Sequence, residues 1–417
     1  MTPSSAASTA ETTGKPGSEI VTREAHQALW GSALGYAMDG FDLLILGFML
    51  RIISTDLGLS PAEGASLVTA TLLGAVVGGL VFGALSDRLG RIRVLTWTIV
   101  VFAVFTGLCA LAQGYWDLLF YRTAAGVGLG GEFGIGMALV AEAWPASKRA
   151  RVSSYVGLGW QLGVLAAAIL TPLLLPVIGW RGMFALGIFP AVAAYVIRRT
   201  LHEPEVFVRN TREAPKDAVP LRLLVKDRAT SFASLGMVIL CSVQNFGYYG
   251  VMIWLPSYLS SRFGYSLTQS AAWTSVTIAG MAVGIYAFGQ IADRIGRRPA
   301  FLGYMLGAAV MVVVYSRLID PVALLVAGAV MGFFVNGMLG GYGALMSELY
   351  PTRARATAQN VLFNIGRAIG GLGPVVVGAI AAVAGFDFAI ALLALLYVVD
   401  MIAFWLLIPA RGTGELA

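Results

Sequence analysis

Long apolar blocks, separated by short charged or turn-rich segments, run along this chain from residue 29 to residue 408. A block of about 20 such residues is long enough to cross a bilayer as a helix. Only 12% of the 417 residues are charged, whereas soluble domains carry roughly a quarter. The pattern predicts an all-α membrane protein embedded in a lipid bilayer, and it falls outside the range of soluble domains.

The apolar blocks number twelve. We predict transmembrane helices at 29–53, 66–85, 94–112, 118–140, 152–175, 183–196, 231–255, 271–291, 300–315, 322–346, 357–383 and 388–408. Residues 1–24 have no apolar core and are predicted to form a disordered cytoplasmic tail. The charged segment at 201–229 is a predicted cytoplasmic linker that divides six spans from six. We therefore expect one six-helix bundle at 25–200, a second at 230–410 and a short cytoplasmic tail at 411–417.

Lysine and arginine residues are distributed unevenly between the two predicted sides of the membrane. If the amino terminus is cytoplasmic, 22 of the 28 basic residues fall in cytoplasmic segments and four in outer segments. This bias follows the positive-inside rule. We therefore expect both termini in the cytoplasm and an integral protein of a bacterial inner membrane. The same distribution accounts for the basic pI of about 9.4 without a nucleic-acid partner.

The sequence repeats itself at a spacing of 206 residues. The segment Gly-Ala-Leu-Ser-Asp-Arg-Leu-Gly-Arg at 83–91 recurs as Gly-Gln-Ile-Ala-Asp-Arg-Ile-Gly-Arg at 289–297. Glu-Ala-Trp-Pro at 142–145 recurs at the same spacing as Glu-Leu-Tyr-Pro at 348–351. Several spans lie between these matches without a net insertion, so the chain consists of two copies of a six-span unit. Two such halves around a central cavity are a known transporter design.

The repeated Gly-x-x-x-Asp-Arg-x-Gly-Arg segment resembles the signature of the major facilitator superfamily. Arg122-x-x-x-Gly-x-Gly in the fourth span matches that superfamily's second motif. Asp39-Gly-Phe-Asp42 is similar to a motif of the aromatic acid:proton symporters. Gly-Gly-Glu132, followed by Glu-Ala-Trp-Pro, is more similar to the sialate, lactate and related metabolite:proton symporters. The resemblance covers 30–409 and implies a two-half transporter that imports a small organic acid together with protons.

Ionisable residues inside predicted spans are the first candidates for function, because each costs at least ~2.5–3.5 kcal/mol at mid-helix. Asp39 and Asp42 lie three residues apart on one helix, and two nearby carboxylates favour uptake of a proton. Helix depth places Asp42 within reach of Arg122, and the resemblance implies that protonation opens this pair. Glu132 is a candidate second proton site. The alternative for each residue is structural, with a fixed partner for the acids and a permanent brace for Arg122.

Arg367 in the eleventh span is the candidate that binds a substrate carboxylate, because its planar guanidinium matches two carboxylate oxygens. The repeat spacing relates it to Gln161, a polar residue in the fifth span. Gly-Gly-Leu-Gly-Pro at 370–374 is predicted to kink or loosen the helix beside it. The alternative is that Arg367 serves as a counter-ion to Asp400 or Glu348.

Polar and aromatic residues on other spans are further candidates for contact with substrate. The repeat relates Asn245 in the seventh span to Asp39 in the first, so both halves place polar groups at similar depth. The set is Tyr36, Gln244, Asn245, Tyr248, Asn336 and Asn364. For the aromatic members, the alternative is a belt at the outer membrane interface.

A third set of residues is predicted to hold the outward-facing state at the cytoplasmic ends of the helices. Asp87 is expected near the amino end of the eleventh helix, where the helix dipole favours an acid. The set comprises Gly83, Asp87, Arg88, Gly90, Arg91, Asp293, Arg294, Arg297, Glu142, Arg149, Glu348 and Arg355. None of them is predicted to contact substrate.

No catalytic triad, metal cluster or phosphate-binding loop is recognisable, so the sequence predicts neither an enzyme nor a resident cofactor. The proton is the expected coupling ion. The expected partners are a small carboxylate substrate and the lipid bilayer, and the expected state is a monomer. Three alternatives stay open: a sugar or polyol:proton symporter, a drug:proton antiporter and a membrane sensor that has lost transport. The fifth span lacks the Gly-Pro element typical of the antiporters.

Overall fold

A computed structural model of the chain describes residues 21–189, 192, 203, 220–265 and 267–409. The described residues form helices and connecting turns, with no β-strand among them. Eleven helical spans in this part of the chain are long and apolar enough to cross a membrane. The sixth predicted span is described only in part. Residues 1–20, most of the predicted linker and the tail at 411–417 lie outside the described residues.

The two halves follow one another along the chain. The first contains α1 (Arg23–Asp56), α2 (Pro61–Leu89), α3 (Arg91–Leu108), α4 (Tyr115–Ala143) and α5 (Arg149–Leu186). The short helix α6 (Pro220–Leu223) precedes the second half. That half contains α7 (Arg228–Phe263), α8 (Leu267–Ile295), α9 (Arg297–Arg317), α10 (Pro321–Gly337), α11 (Leu339–Leu349), α12 (Thr352–Gly370), α13 (Gly373–Ala384) and α14 (Phe386–Leu407). Thus α10 with α11 corresponds to the predicted tenth span, and α12 with α13 to the eleventh.

Several helices begin before the predicted apolar blocks, and side chains cap the starts of α1, α2 and α10. Helix α2 begins after Ser60, whose side chain and that of Glu63 form a reciprocal capping box. Its start therefore lies five residues before the predicted span. Gly179 interrupts the helical backbone of α5 with a φ of 65°, which separates the fifth span from the sixth. The predicted kink in the eleventh span is confirmed as a break between Gly370 and Gly373.

Glycines let neighbouring helices within each half approach backbone to backbone. A Cβ atom built on Gly78 of α2 would lie only 1.8 Å from the carbonyl oxygen of Val127 on α4. The repeat reproduces this contact in the second half. There a Cβ atom on Gly284 of α8 would lie 2.1 Å from the carbonyl oxygen of Phe333 on α10. Both helix pairs thus need a residue without a side chain at the crossing point.

The halves meet along two matched contacts. In the first, the backbone N–H of Gly134 on α4 donates to the Asn360 side chain on α12 at 2.7 Å. In the second, Gly340 on α11 packs against Ser154 on α5, and a Cβ atom on Gly340 would lie 2.8 Å from Cβ of Ser154. These four positions are related by the 206-residue spacing. The two halves therefore pack with pseudo-two-fold symmetry and enclose the space between them.

Candidate functional site

A small cavity lies between the two halves. Helices α1 and α5 of the first half and α7 and α10–α12 of the second supply its walls. The lining residues are Tyr36, Trp160, Gln244, Asn245, Tyr248, Tyr249, Asn336, Leu339, Phe363 and Arg367. Six of the eight predicted substrate contacts are among them. The cavity is therefore mostly aromatic and amide-lined, with a single charged side chain.

Arg367 is that charged side chain, and only 2% of its surface is exposed. Its Nε donates a hydrogen bond to the Tyr249 hydroxyl at 3.4 Å. The guanidinium lies over the Trp160 ring, with its carbon 4.7 Å from the ring centroid. Its Nη2 is buried and has no hydrogen-bond partner among the described residues. The wall of the cavity thus presents a fixed cation with a free donor, which suits an acidic ligand.

The amide side chains in the cavity are only partly satisfied. Gln244 on α7 donates to the side-chain oxygen of Asn336 on α10 at 2.5 Å. Within the described structure, the Gln244 oxygen and the Asn336 nitrogen have no further partner. Asn245 donates to the Cys241 carbonyl one turn earlier at 2.8 Å. These groups offer both donors and acceptors that can orient a polar ligand.

Two predicted contacts lie away from the cavity lining. Asn364 donates to the carbonyl oxygens of Gly130 and Asn360, both at 2.8 Å, and so ties α12 to α4. Gln161 is buried beside the cavity, but the residue before it, Trp160, provides the wall. A step of one residue turns a helical side chain by about 100°. The repeat spacing therefore predicted how deep Gln161 lies in the membrane, but it did not predict that its side chain points away from the cavity lining.

The alternative partners of Arg367 lie elsewhere. Glu348 pairs with Arg297 at 3.1 Å. Asp400 is buried on α14, and its carboxyl oxygens have no hydrogen-bond partner among the described residues. The acid that interacts electrostatically with Arg367 is Asp39 on α1. Within the described residues, Arg367 thus pairs with neither Glu348 nor Asp400, and Asp39 is the acid of the first half that influences its charge.

Asp39 and Glu132 form a buried carboxyl pair. Asp39 is fully inaccessible on α1, and Glu132 faces it from α4 as its main charged neighbour. Apart from each other, the two carboxyl groups have no hydrogen-bond partner among the described residues. Gly35 keeps room for them, since a Cβ atom there would lie 3.1 Å from Oε2 of Glu132. Two carboxyl groups so placed cannot both carry a charge without a large desolvation and repulsion cost.

Asp42, one helical turn from Asp39, has different surroundings. Arg122 donates to both of its carboxylate oxygens, at 3.0 and 2.7 Å. Thr106 donates to one of them at 3.2 Å, and Arg122 Nε in turn donates to Thr71 at 3.3 Å. This is a bidentate ion pair inside the first half, and both oxygens of Asp42 have hydrogen-bond donors. The structure therefore brings together the two residues that helix depth placed within reach of each other.

At one end of the bundle, the repeated motifs join the halves; we call this the motif end. The Asp87 carboxylate accepts from the backbone N–H of Ala356 at 3.2 Å and of Thr357 at 2.8 Å, in the first turns of α12. It also accepts from the Thr357 hydroxyl at 2.5 Å and from Arg91 at 2.6 Å. Asp87 therefore holds α2 of one half against α12 of the other.

The second half repeats this arrangement. The Asp293 carboxylate accepts from the backbone N–H of Ala150 at 3.1 Å and of Arg151 at 3.0 Å, in the first turn of α5. Arg297 donates to it at 2.8 Å. No hydroxyl corresponds to that of Thr357, because the repeat places Arg151 there. The two clusters are thus symmetric in backbone contacts but unequal in the number of donors.

Glutamates complete the motif end. Glu142 accepts from Arg91 and from Arg355, both at 3.0 Å, and so bridges the halves. Arg149 and Arg355 occupy equivalent positions, each donating from Nε to the carbonyl eight residues earlier at 3.3 Å. Two predicted members lie outside this network: the side chains of Arg88 and Arg294 are exposed. The arginine four residues after each aspartate, and not the adjacent one, makes the ion pair.

Sequence reasoning missed several residues that the fold brings to these sites. Trp160 contacts Arg367, and Thr357 supplies a donor to Asp87. Glu203 accepts hydrogen bonds from the start of α3. Aromatic and threonine residues in a membrane helix usually belong to packing, so only their helical phase relative to Arg367 and Asp87 could have identified them. No group of three or more metal-binding side chains occurs among the described residues.

Comparison with known proteins places these features in a family. The model of the Major Facilitator Superfamily matches residues 32–316 and 267–416. A Haemophilus influenzae protein, named provisionally as a metabolite transport protein, is 67% identical over 92% of this chain and 96% of its own. The cis,cis-muconate transport protein of Acinetobacter baylyi is 29% identical, covering 84% of this chain and 85% of its own.

A solved structure supports the fold independently. The proton:xylose symporter XylE, bound to 6-bromo-6-deoxy-D-glucose, superposes with a TM-score of 0.78 at 18% identity, covering 95% of this chain and 98% of that one. At that identity the likeness concerns the fold alone. The two-half helical architecture, the repeated motifs and the family match agree. The chain is an integral membrane transporter that belongs to the Major Facilitator Superfamily.

Proposed function

We propose that this transporter imports a small organic acid by proton symport. The observation that carries the proposal is the unpartnered buried Nη2 of Arg367 in an aromatic and amide-lined cavity between the halves. An arginine held in this way is costly unless its charge is used. A substrate carboxylate would supply the missing acceptor.

The surroundings of Arg367 favour a planar or conjugated acid. The Trp160 ring that stacks on the guanidinium and the tyrosines around it provide flat apolar faces. Asn245, Gln244 and Asn336 can bind polar groups at the other end of such a molecule. The relative named as a cis,cis-muconate transport protein is consistent with this class of ligand.

The Asp39–Glu132 pair is the proposed proton carrier. Because both carboxyl groups are buried side by side, we expect them to share a proton when the cavity is empty. Asp39 is also attracted to Arg367. A substrate carboxylate on Arg367 competes with that attraction and thereby favours proton binding to the pair. By linkage, a bound proton favours the substrate to the same extent, which is the basis of symport.

Asp42 and Arg122 are proposed to act as a lock and not as the proton carrier. Both carboxylate oxygens of Asp42 accept a hydrogen bond from the Arg122 guanidinium. Protonation of Asp42 would therefore disrupt hydrogen bonds to a charged donor. We propose that the motif end faces the cytoplasm, with both termini on that side of a bacterial inner membrane. When the motif end is closed, the transporter is then in the outward-facing state of its alternating-access cycle. We propose that a monomer completes this cycle. The two six-helix bundles, at 25–200 and 230–410, are its moving parts.

The test is uptake by the purified protein in proteoliposomes under an imposed pH gradient. The panel comprises benzoate-type, muconate-type, sugar-acid and short monocarboxylate ligands, with neutral sugars as the comparison. We expect uphill uptake of one acid class that rises as the outside pH falls and collapses with a protonophore. Accumulation of a neutral sugar in preference to every acid would overturn the proposal.

Arg367 variants test the site itself. Loss of one partner of a buried pair costs about 3–5 kcal/mol, so Arg367→Ala should weaken binding of the transported acid by a few hundredfold or more. Arg367→Lys should restore little of it, because a point charge lacks the planar fork. Arg317→Ala, at an exposed arginine at the end of α9, is the matched control. Near-wild-type affinity in both Arg367 variants would remove this residue from the site.

A further inference from the structure

The internal repeat provides two equivalent helix starts at the motif end. Helix α3 begins after Gly90 and α9 after Gly296, and both glycines have positive φ angles, of 115° and 93°. In the first half, a carboxylate occupies the start of the helix. Glu203 accepts from the backbone N–H groups of Arg91 at 2.7 Å, Ile92 at 2.9 Å and Arg93 at 3.3 Å. An anion at a helix amino terminus satisfies free N–H groups and complements the dipole.

The second half lacks this acid. The residue 206 positions after Glu203 is Pro409, which has no acceptor side chain. In place of a carboxylate, the start of α9 adjoins a small cavity. Its lining residues are Arg297, Arg298, Leu345, Glu348, Leu349, Phe404, Ile408 and Pro409. The repeat thus pairs an occupied anion position in one half with a cavity in the other.

Two guanidinium groups that line the cavity have N–H donors without a hydrogen-bond partner among the described residues. The side chain of Arg297 is 6% exposed, and its Nε has no hydrogen-bond partner among the described residues. The Nε of Arg298 is likewise buried and without a partner in that part of the chain. Arg298 is held in place from the other side. Its Nη2 donates to the Trp405 carbonyl at 2.9 Å, and its guanidinium lies 4.3 Å from the Trp405 ring centroid.

The charge balance of the cavity is positive. Glu348 is the one acid in the lining, and it is already paired with Arg297 at 3.1 Å. The Asp293 carboxylate on α8 accepts from Arg297 as well and from two backbone N–H groups of α5. Arg298 has no acidic partner among the described ion pairs. An incoming anion would therefore meet one uncompensated guanidinium and the positive end of α9.

We propose that this cavity binds the phosphate of an anionic phospholipid headgroup. The phosphate would supply a negative charge at the start of α9, as the Glu203 carboxylate does at the start of α3. Guanidinium groups with free, oriented donors match phosphate oxygens. The lipid source is favoured by what adjoins the cavity. Trp405 is 61% exposed and Leu406 73% exposed at the end of α14, and they offer apolar surface for acyl chains. An exposed tryptophan beside a basic pocket is typical of the membrane interface.

The experiment titrates the full-length purified protein in detergent with short-chain phosphatidylglycerol, short-chain phosphatidylcholine and inorganic phosphate, and measures binding by native mass spectrometry and by thermal unfolding. We expect phosphatidylglycerol to bind and stabilise, and the other two to do so at least about tenfold more weakly. Arg298→Gln should weaken phosphatidylglycerol binding about tenfold or more, the size expected for losing a charged hydrogen bond. Arg222→Gln, at an exposed arginine that precedes α7, is the control for the change in net charge.

A second variant keeps the proposal testable if Arg298→Gln does not fold. Pro409→Glu introduces a carboxylate at the position equivalent to Glu203. It should abolish phosphatidylglycerol binding while leaving the unfolding temperature at or above that of the wild type. Unchanged phosphatidylglycerol binding in both variants would overturn the proposal. Equal stabilisation by inorganic phosphate and by phosphatidylglycerol would overturn the lipid source.

Discussion

The most direct consequence of the motif-end geometry concerns Asp87. Its carboxylate accepts four hydrogen bonds, from Ala356 N, Thr357 N, the Thr357 hydroxyl and Arg91. Three of these cross from one half of the protein to the other. Asp87→Asn keeps the size of the side chain but leaves one acceptor oxygen. Its amide nitrogen becomes a donor that faces other donors.

The magnitude follows from the bonds lost. Hydrogen bonds to a charged group contribute about 1.5–3 kcal/mol each, against about 0.5–1.5 kcal/mol for neutral ones. Of the three bonds that cross between the halves, one is lost and two become bonds to a neutral acceptor, so the closed motif end should be weakened by about 3–5 kcal/mol. At about 1.4 kcal/mol per factor of ten, the equilibrium between closed and open motif ends shifts by about two to three and a half orders of magnitude.

The assay measures the separation of the halves at this end. Leu89 and Ile295 are exposed residues at the ends of α2 and α8, and the repeat makes them equivalent. Spin labels on cysteines at these two positions, with Cys109 and Cys241 replaced by alanine, report the distance by electron–electron double resonance. We expect one short distance in the wild-type protein and a major longer one in Asp87→Asn.

Asp293→Asn is the matched control, because the repeat gives it the same backbone contacts without the hydroxyl. The nearby Arg151 guanidinium is 3.9 Å away and one-third exposed, so it contributes little. The shift in Asp293→Asn should therefore be smaller. A shift as large as in Asp87→Asn, or an unchanged distance in Asp87→Asn, would refute this account of the motif end.

Three further predictions follow from the fold and the site. Asp39→Asn should abolish accumulation against a gradient while exchange continues, whereas Asp42→Asn should mainly slow exchange; uphill uptake that survives in Asp39→Asn would argue against proton coupling through this residue. A cysteine at position 261 should react with an impermeant reagent from outside the cell and one at position 217 should not, and the reverse result would invert the topology. Gly78→Ala should lower the unfolding temperature by several degrees, because its Cβ meets a backbone carbonyl. The same change at Gly47, which has open space around it, should leave the unfolding temperature unchanged or raise it slightly.

Chemistry within the membrane was only partly predictable. Helix depth predicted the Asp42–Arg122 pair, but it gave no partner to Asp39, which shares the helix and the residue type. Their neighbours differ because α4 passes along both, offering Glu132 to one and Arg122 to the other. Which acid receives which partner depends on the rotation and height of α4 against α1. Those quantities follow from glycine contacts between helices and not from local pattern.

The motif end shows the same limit. The repeated segment contains an arginine directly after each aspartate and another four residues after it. Sequence similarity marked both, but only Arg91 and Arg297 turn toward the aspartates, while Arg88 and Arg294 face solvent. The helix phase brings the side chain four positions away onto the aspartate's face and turns the adjacent one aside.

The membrane class, the two-copy organisation, the approximate spans and the depth of each polar residue could be predicted from the amino-acid sequence alone. These properties depend on one-dimensional quantities: the length of apolar blocks and a repeat of 206 residues. Apart from the Asp42–Arg122 pair and the position of Asp87 at the start of the eleventh span, the contacts between side chains became clear only in the folded protein. The cavity lining contains Trp160 and Tyr249 but neither Gln161 nor Asn364. Glu203 accepts a hydrogen bond from the backbone at the start of α3. The physical reason is that contact between helices depends on their rotation and crossing angle, which packing of both halves sets together.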